Sequence, residues 1–343
     1  MFSVSIKDDV TFNNFLNSGE QDYVDVYLND EVAIFVMNSS DLFSVITLPC
    51  SHTPNEHAHG FRMSRNLLKQ QKRANTIAIR VSDSGDVSTS FLLNNELLCE
   101  ADFIYQKVYS TAYADKLNLL RGFTKPSGIQ LGTLTPLIKL SSNLGGLLNI
   151  ESGVASAIFQ NGVRVYKKMH YDEVLCITPK YAQLLQKCDT NIFAIENYVG
   201  AFKDDFAILV TKLRVASNTE FLSLENSRNQ YKATIDFTNL VIFASSHPMK
   251  IANFVINLDT KLCELVENEI SYKIPVTITD EVRAHSDKYH ELIVPFSLIR
   301  NVLPTLGSTT VKMEKKQYFI RMDTEGYTIL FNWGKANVSR NLK

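Results

Sequence analysis

The stretch "RMSRNLLKQQKRANTIAI", Arg62 to Ile79, has two echoes further along the chain: "TPKYAQLLQKCDTNIFAI", Thr178 to Ile195, and "VPFSLIRNVLPTLGSTTVKM", Val294 to Met313. Each reads as a short helix running into a β strand. The apolar pairs Leu67/Leu68, Leu184/Leu185 and Val302/Leu303 mark the same place in each, about 117 residues apart, close to one third of the 343-residue chain. That period implies three similar units.

Working outward, each unit opens alike. Asp9 reads as a cap before Phe12, Phe15 and Leu16; Thr135 and Pro136 stand before "LIKLSSNL"; Asp236 precedes Phe237, Leu240, Val241 and Ala244 at helical spacing. A hairpin follows in each, with turn signals at Asn29-Asp30, Asn161-Gly162 and Asp259-Thr260 between apolar runs. After the second helix comes a meander ending in "GDVSTSFLL", "DDFAILVTKL" or "EGYTILFNW". The expected fold class is α+β: three repeated units, each an antiparallel sheet with two helices on one face. "DKLNLLRGFTKPSG" (Asp115 to Gly128) and "LENSRNQYK" (Leu224 to Lys232) read as linkers, so the expected domains are 1–125, 126–230 and 231–343.

Composition narrows the class. The chain is 45% hydrophobic, enough for real cores, and its 35 basic and 36 acidic residues leave a net charge of −1, so attraction to a polyanion must be local. The five cysteines form no C-x-x-C pair and sit mostly in apolar runs, which fits a reducing compartment. With no signal-peptide profile and no membrane-length apolar run, a soluble intracellular protein is expected.

The local charge lies at Phe61 to Asn75. Read as one helix, it places Arg62, Arg65, Lys69, Lys72 and Arg73 within an arc of roughly 100°. No acid occurs from Phe61 to Val81, whereas a merely solvated helix face ordinarily mixes signs. The matching helices add Lys180, Lys187 and Arg300, and an opening helix adds Lys139. Sparse cations repeated over three units suit a phosphate backbone contacted without base reading. No aromatic residues interleave for stacking on single strands, so duplex DNA is the expected ligand.

At this point the pattern resembles the DNA sliding clamps, specifically the three-domain bacterial β clamp, over essentially the whole chain. The resemblance implies a ring-forming clamp, a homodimer closed head to tail around double-stranded DNA without sequence preference, that tethers DNA polymerase and is loaded by a clamp loader. It also implies a partner-peptide pocket. "AIFQNGVRVY" looks like the clamp segment contributing Gln160, Gly162 and Val165; the segment from Asp205 to Asn226 contributes Leu222 and Leu224; and "YTILFNW" aligns with the terminal strand, contributing Leu330, Phe331, Asn332 and Trp333. The tail "GKANVSRNLK" has no counterpart there. Divergence from cellular clamps points to a phage or viral version acting in the host cytoplasm.

The alternative is a clamp-fold scaffold or transcription accessory protein that does not encircle DNA. An enzyme is not expected: no P-loop, nucleophile-elbow, zincin or dinucleotide motif occurs. His52, His57 and His59 near Glu56 are the best metal candidates, but no familiar ligand spacing completes them, so neither metal nor cofactor is expected.

Overall fold

A computed structural model describes residues 1–29, 31–52, 59–71, 73–82, 86–104, 106–108, 113–121, 129–159, 162–170, 174–188, 191–203, 205–213, 229–247, 252–267, 269–284, 290–316 and 319–332. The chain divides into two compact units, Met1–Gly132 with Tyr181–Lys212, and Thr133–Lys180 with Leu213–Lys343.

One element order recurs three times: strand, helix, four strands, helix, three strands. The first round runs Phe2–Ser5, helix Asp9–Leu16, Tyr23–Leu28, Val32–Asn38, Leu42–His52, His59–Ser64, helix Arg65–Gln70, Thr76–Val81, Asp86–Leu93 and Glu96–Ile104. The second runs Ile129–Gln130, helix Thr135–Leu144, Leu147–Glu151, Val154–Ile158, Arg164–Lys168, Leu175–Ile177, helix Pro179–Cys188, Asn191–Ile195, Tyr198–Lys203 and Phe206–Thr211. The third runs Tyr231–Asp236, helix Thr238–Ser246, Asn253–Asn257, Leu262–Glu267, a broken strand Ile270–Pro275 and Thr277–Arg283, Glu291–Pro295, the helical stretch Leu298–Val302 and Leu303–Leu306, then Thr310–Lys315, Phe319–Thr324 and Tyr327–Asn332.

Counting the eight strand positions of a round, the pairing order is 8-7-6-1-4-3-2-5 in the first. The third repeats it. Its broken fourth strand pairs with the third strand over Ile270–Pro275 and with the first over Thr277–Arg283, as the unbroken Leu42–His52 does with its own partners. In the second round, strands 8-7-6-1 lie in the first unit and 4-3-2-5 in the second. The eighth strand of the second round, Phe206–Thr211, pairs antiparallel with the fourth of the first, with Phe206 opposite Ile46 and Leu209 opposite Phe43. The eighth of the third, Tyr327–Asn332, pairs with the fourth of the second, with Leu330 opposite Arg164.

In the first unit, helix Asp9–Leu16 is capped by Asp8, not Asp9. Asp8 is extended, and its carboxylate accepts from the Val10 and Thr11 N–H groups at 2.9 and 3.1 Å. The bond from the Thr11 hydroxyl, ahead of the backbone bonds, holds this carboxyl below its usual pKa. The buried face of that helix meets the sheet through aromatics: Phe12 edge-on to Phe35 at 5.8 Å and Phe15 edge-on to Phe206 at 6.2 Å. Each such ring contributes about 1.5–3 kcal/mol by leaving water. In the second unit, Thr135–Leu144 buries Leu137, Ile138, Leu140 and Ser141 and packs on Leu147–Glu151, Val154–Ile158 and Leu303–Leu306.

Two helices differ from the sequence reading. Phe61 to Asn75 is not one helix. Phe61 and Met63 are both fully buried, a period-two pattern, and they belong to strand His59–Ser64. Ser64 then caps a helix that ends at Gln70. In the third round, Pro304 cannot donate to the Arg300 carbonyl, and Leu303 N–H bonds back to Leu298, widening that turn into a π-helical one. The expected linker Asp115–Gly128 overlaps a further helix, Ala114–Arg121. Its Leu117 and Leu120 pack with Tyr113 against Val36, Phe43, Val45, Phe193 and Leu209.

Candidate nucleic-acid and partner-docking interfaces

The expected cations fall into two groups. Arg62 and Arg65 are bound to the protein itself. Arg62 lies on a strand, where its Nε donates to Asp25 Oδ1 at 2.7 Å and its Nη2 to Oδ2 at 3.3 Å. That bond raises the Arg62 pKa. Asp25 is buried and also accepts from the Tyr113 hydroxyl, whose pKa is pushed up to about 12, first by burial and then by that bond. Arg65 donates to the Gly19 carbonyl and, at 3.5 Å, to that of Glu20. The single charged helix face expected from Arg62 to Arg73 is therefore corrected. Arg62 precedes the helix and neutralises a buried carboxylate, and Arg73 follows the helix end.

The second group points to solvent. Lys69 is half-buried on helix Arg65–Gln70, and burial, followed by repulsion from Arg65, lowers its pKa. Arg73 is exposed, as is Lys187 at the end of helix Pro179–Cys188. The Lys187 carbonyl accepts from Asn14 on helix Asp9–Leu16 at 3.4 Å, and that helix also packs on Arg65–Gln70, which carries Lys69. In the second unit Lys139, Lys180 and Arg300 are exposed, Arg300 with its guanidinium over the Phe296 ring at 5.6 Å. Helix Thr135–Leu144, which carries Lys139, packs on the turn Leu298–Val302, which carries Arg300. Lys72 lies outside the described residues.

Strand alternation separates the residues expected in the partner pocket. Leu330 and Tyr166 share one face of the join between Arg164–Lys168 and Tyr327–Asn332, and together with Val154 and Phe319 they form a small apolar cluster. Val165 lies opposite Ile329, and Phe331 two residues on from Ile329, so both occupy the other face; both are buried. The expectation that Val165, Leu330 and Phe331 together line one surface pocket is thus corrected: Val165 and Phe331 lie on the face away from Leu330. Gly162, at φ +80°, forms the nearby hairpin turn, where a Cβ would meet nothing within 4 Å. The backbone of Asn332 ends the strand, while Gln160, Leu222, Leu224 and Trp333 lie outside the described residues.

Two strand edges escaped the sequence reading. Glu96–Ile104 pairs only with Asp86–Leu93, and Ile270–Pro275 only with Leu262–Glu267, among the described residues. Both carry exposed apolar side chains, with Leu97 57% and Ile270 56% exposed. Acids at Glu96, Glu100 and Asp102 line one edge and Lys273 the other. Among the described residues no cluster of three or more His, Cys, Asp or Glu could hold a metal, and no helix is long and apolar enough to cross a membrane. His57 and the His59 side chain lie outside the described residues.

No protein-family model matches the sequence, and no curated protein does. Solved structures do match. A DNA polymerase III β subunit from Pseudomonas aeruginosa aligns with a TM-score of 0.67 at 10% identity, over 97% of this chain and 99% of its own. A putative β subunit from Eubacterium rectale gives 0.66 at 11% identity, over 97% and 98%. The Bacillus subtilis DNA polymerase sliding clamp gives 0.63 at 11% identity, over 96% and 98%. Similarity at full length with so little identity is a likeness of backbone, and it agrees with the thrice-repeated element order: this chain has the fold of the bacterial DNA polymerase sliding clamps.

Proposed function

We propose that this chain is a DNA polymerase processivity factor, a non-enzymatic homodimeric ring of three clamp domains per chain, 1–125, 126–230 and 231–343, that encircles duplex DNA. The observation that carries the reading is the rule by which rounds join. The eighth strand of one round pairs with the fourth strand of the round before it, twice. That leaves one eighth strand, Glu96–Ile104, and one fourth-strand segment, Ile270–Pro275, with an open edge among the described residues. A second copy supplies what each edge lacks. Two chains joined head to tail in this way form a closed cycle, and the apolar and oppositely charged side chains on the two edges suit the pairing.

In this reading Lys69, Arg73, Lys139, Lys180, Lys187 and Arg300 contact phosphates, with Lys72 among them, while Arg62 and Arg65 hold the fold beneath. Contacts of this kind are weak and carry no sequence information, so a ring that cannot leave sideways still slides. The face bearing Leu330 and Tyr166, near the Gly162 turn, docks the polymerase and an ATP-driven loader acting in the same cytoplasm.

Cysteine cross-linking tests the ring. Past the bulge at Phe91–Leu92, Cys99 lies opposite Phe91 and is the counterpart of Ile208, which pairs with Ser44 on the helix side of the first join; the residues on that side of the open fourth-strand edge of the other copy are Ile270 and Tyr272. Ile270→Cys or Tyr272→Cys should therefore give a covalent dimer on mild oxidation that is lost in a Cys99→Ser background. Monomer alone from both variants at high protein concentration would favour the scaffold that does not encircle DNA.

A further inference from the structure

The strands of the first join carry an apolar face on the side away from helix Asp9–Leu16. Phe206, which meets Phe15, points to that helix, so Ala207 and Leu209 point away from it. Directly paired residues share a face, which adds Val45 and Phe43, the partners of Ala207 and Leu209, and Phe202 on the next strand. Helix Ala114–Arg121 covers part of this face. Phe43, Phe193 and Leu209, in the cluster it packs against, are at most 1% exposed. Further along, Ile34, Phe202 and Ala207 are only half-buried. There a cleft of about 310 Å³ opens between the sheet and Leu117 and Leu120 of the helix, with Val45 in its floor.

The cleft has one polar end. Thr47 N–H donates to the Asp205 carbonyl at 2.8 Å, which sets these two residues side by side at the rim. Neither side chain makes a hydrogen bond or ion pair among the described residues, and Asp205 is exposed. Lys116 of the covering helix is held elsewhere. Its Nζ donates to Asn38 Oδ1 at 2.7 Å and lies over the rings of Phe43 and Tyr198. The charge lining the cleft is therefore the Asp205 carboxylate.

We propose that this cleft docks a short basic and hydrophobic segment of a partner protein, with a leucine or phenylalanine side chain inside and a lysine or arginine beside it on Asp205. The chemistry is read from the face itself. The face already holds an amphipathic segment, helix Ala114–Arg121, through two leucines three residues apart, and the cleft continues that apolar contact. Its volume is at the lower end of the roughly 300–1,000 Å³ usual for ligand pockets, which admits one or two side chains and no folded surface. An apolar anchor is indifferent to the charge next to it in the peptide; the carboxylate at the rim selects a cation. This docking is separate from the Leu330 face of the second join and does not require the chain to encircle DNA.

Methyl NMR on the full chain, labelled at isoleucine, leucine and valine, tests it with two peptides, acetyl-Lys-Leu-Phe-Lys-amide and acetyl-Glu-Leu-Phe-Glu-amide. The basic peptide should shift the Ile34, Val45, Leu117 and Leu120 methyls, leave Leu330 unmoved, and bind at least threefold more tightly than the acidic one. Asp205→Lys should reverse that preference. Ala207→Leu, which fills the floor, should weaken the basic peptide at least tenfold; should it disturb the Leu209 methyl in the free protein, the comparison rests on Asp205→Lys. Shifts at Leu330 without shifts at Val45, no shift with either peptide at millimolar concentration, or a preference that survives Asp205→Lys overturns the proposal.

Discussion

The Arg62 guanidinium meets the Asp25 carboxylate side-on, Nε to Oδ1 at 2.7 Å and Nη2 to Oδ2 at 3.3 Å, with the Tyr113 hydroxyl donating to the same carboxylate. The Asp25 side chain is 8% exposed and that of Arg62 34%. Asp25→Asn leaves the arginine without its counter-charge. A fully buried pair loses ~3–5 kcal/mol when broken this way; partial exposure of Arg62 reduces the expected loss to about 2 kcal/mol. Urea unfolding measures it, and an unchanged midpoint would remove the pair from the stability of the first unit.

The two groups of cations separate in a salt titration. Charge reversal at Lys139, Lys187 or Arg300 should lower the slope of log affinity against log salt on duplex DNA by about 0.9 for each phosphate no longer neutralised. Arg62→Gln should cost stability and leave that slope alone. A slope that responds to Arg62 and ignores the other three would invert the assignment.

Asp8→Ala removes the cap of helix Asp9–Leu16 and should cost about 1 kcal/mol at neutral pH. The folded-state pKa of Asp8 lies below 3.8, so its contribution is complete above that value and fades as pH falls through the folded pKa. The difference in stability between wild type and variant should shrink correspondingly in acid. A pH-independent difference would mean that the aspartate acts by other means.

Gly200 stands where a Cβ would lie 2.6 Å from the Phe193 ring and 2.8 Å from Leu209. Both residues belong to the apolar cluster at the first join, Leu209 directly opposite Phe43. Gly200→Ala should cost about 1–3 kcal/mol through overpacking. Thermal unfolding tests this, and a neutral substitution would show that the join relaxes freely.

The threefold order was legible because its signals are local. Apolar pairs at a constant interval, turn residues between alternating runs and a proline in a first helical turn all act within a few residues. The hairpins around Asn29, Gly162 and Asp259 stand where those signals fall. The charged stretch misled because Arg62 satisfies the helical arc as well as it satisfies the strand. Burial of Phe61 and Met63 against Tyr23–Leu28 decided between them. The helix Ala114–Arg121 was hidden for a related reason. Its apolar face needs Phe43 and Val45, about 70 residues earlier, to make sense as a packed element.

By itself the sequence determined the α+β class, the threefold period and the positions of most helices and hairpins, since periodicity and turn chemistry depend on neighbours along the chain. Only the tertiary structure decided which arginines hold the fold, which side of the Arg164–Lys168 join Leu330 occupies, and which strand edges stay open among the described residues. Those are properties of pairing between segments far apart in sequence, where shifting a register by one residue exchanges one face of a sheet for the other.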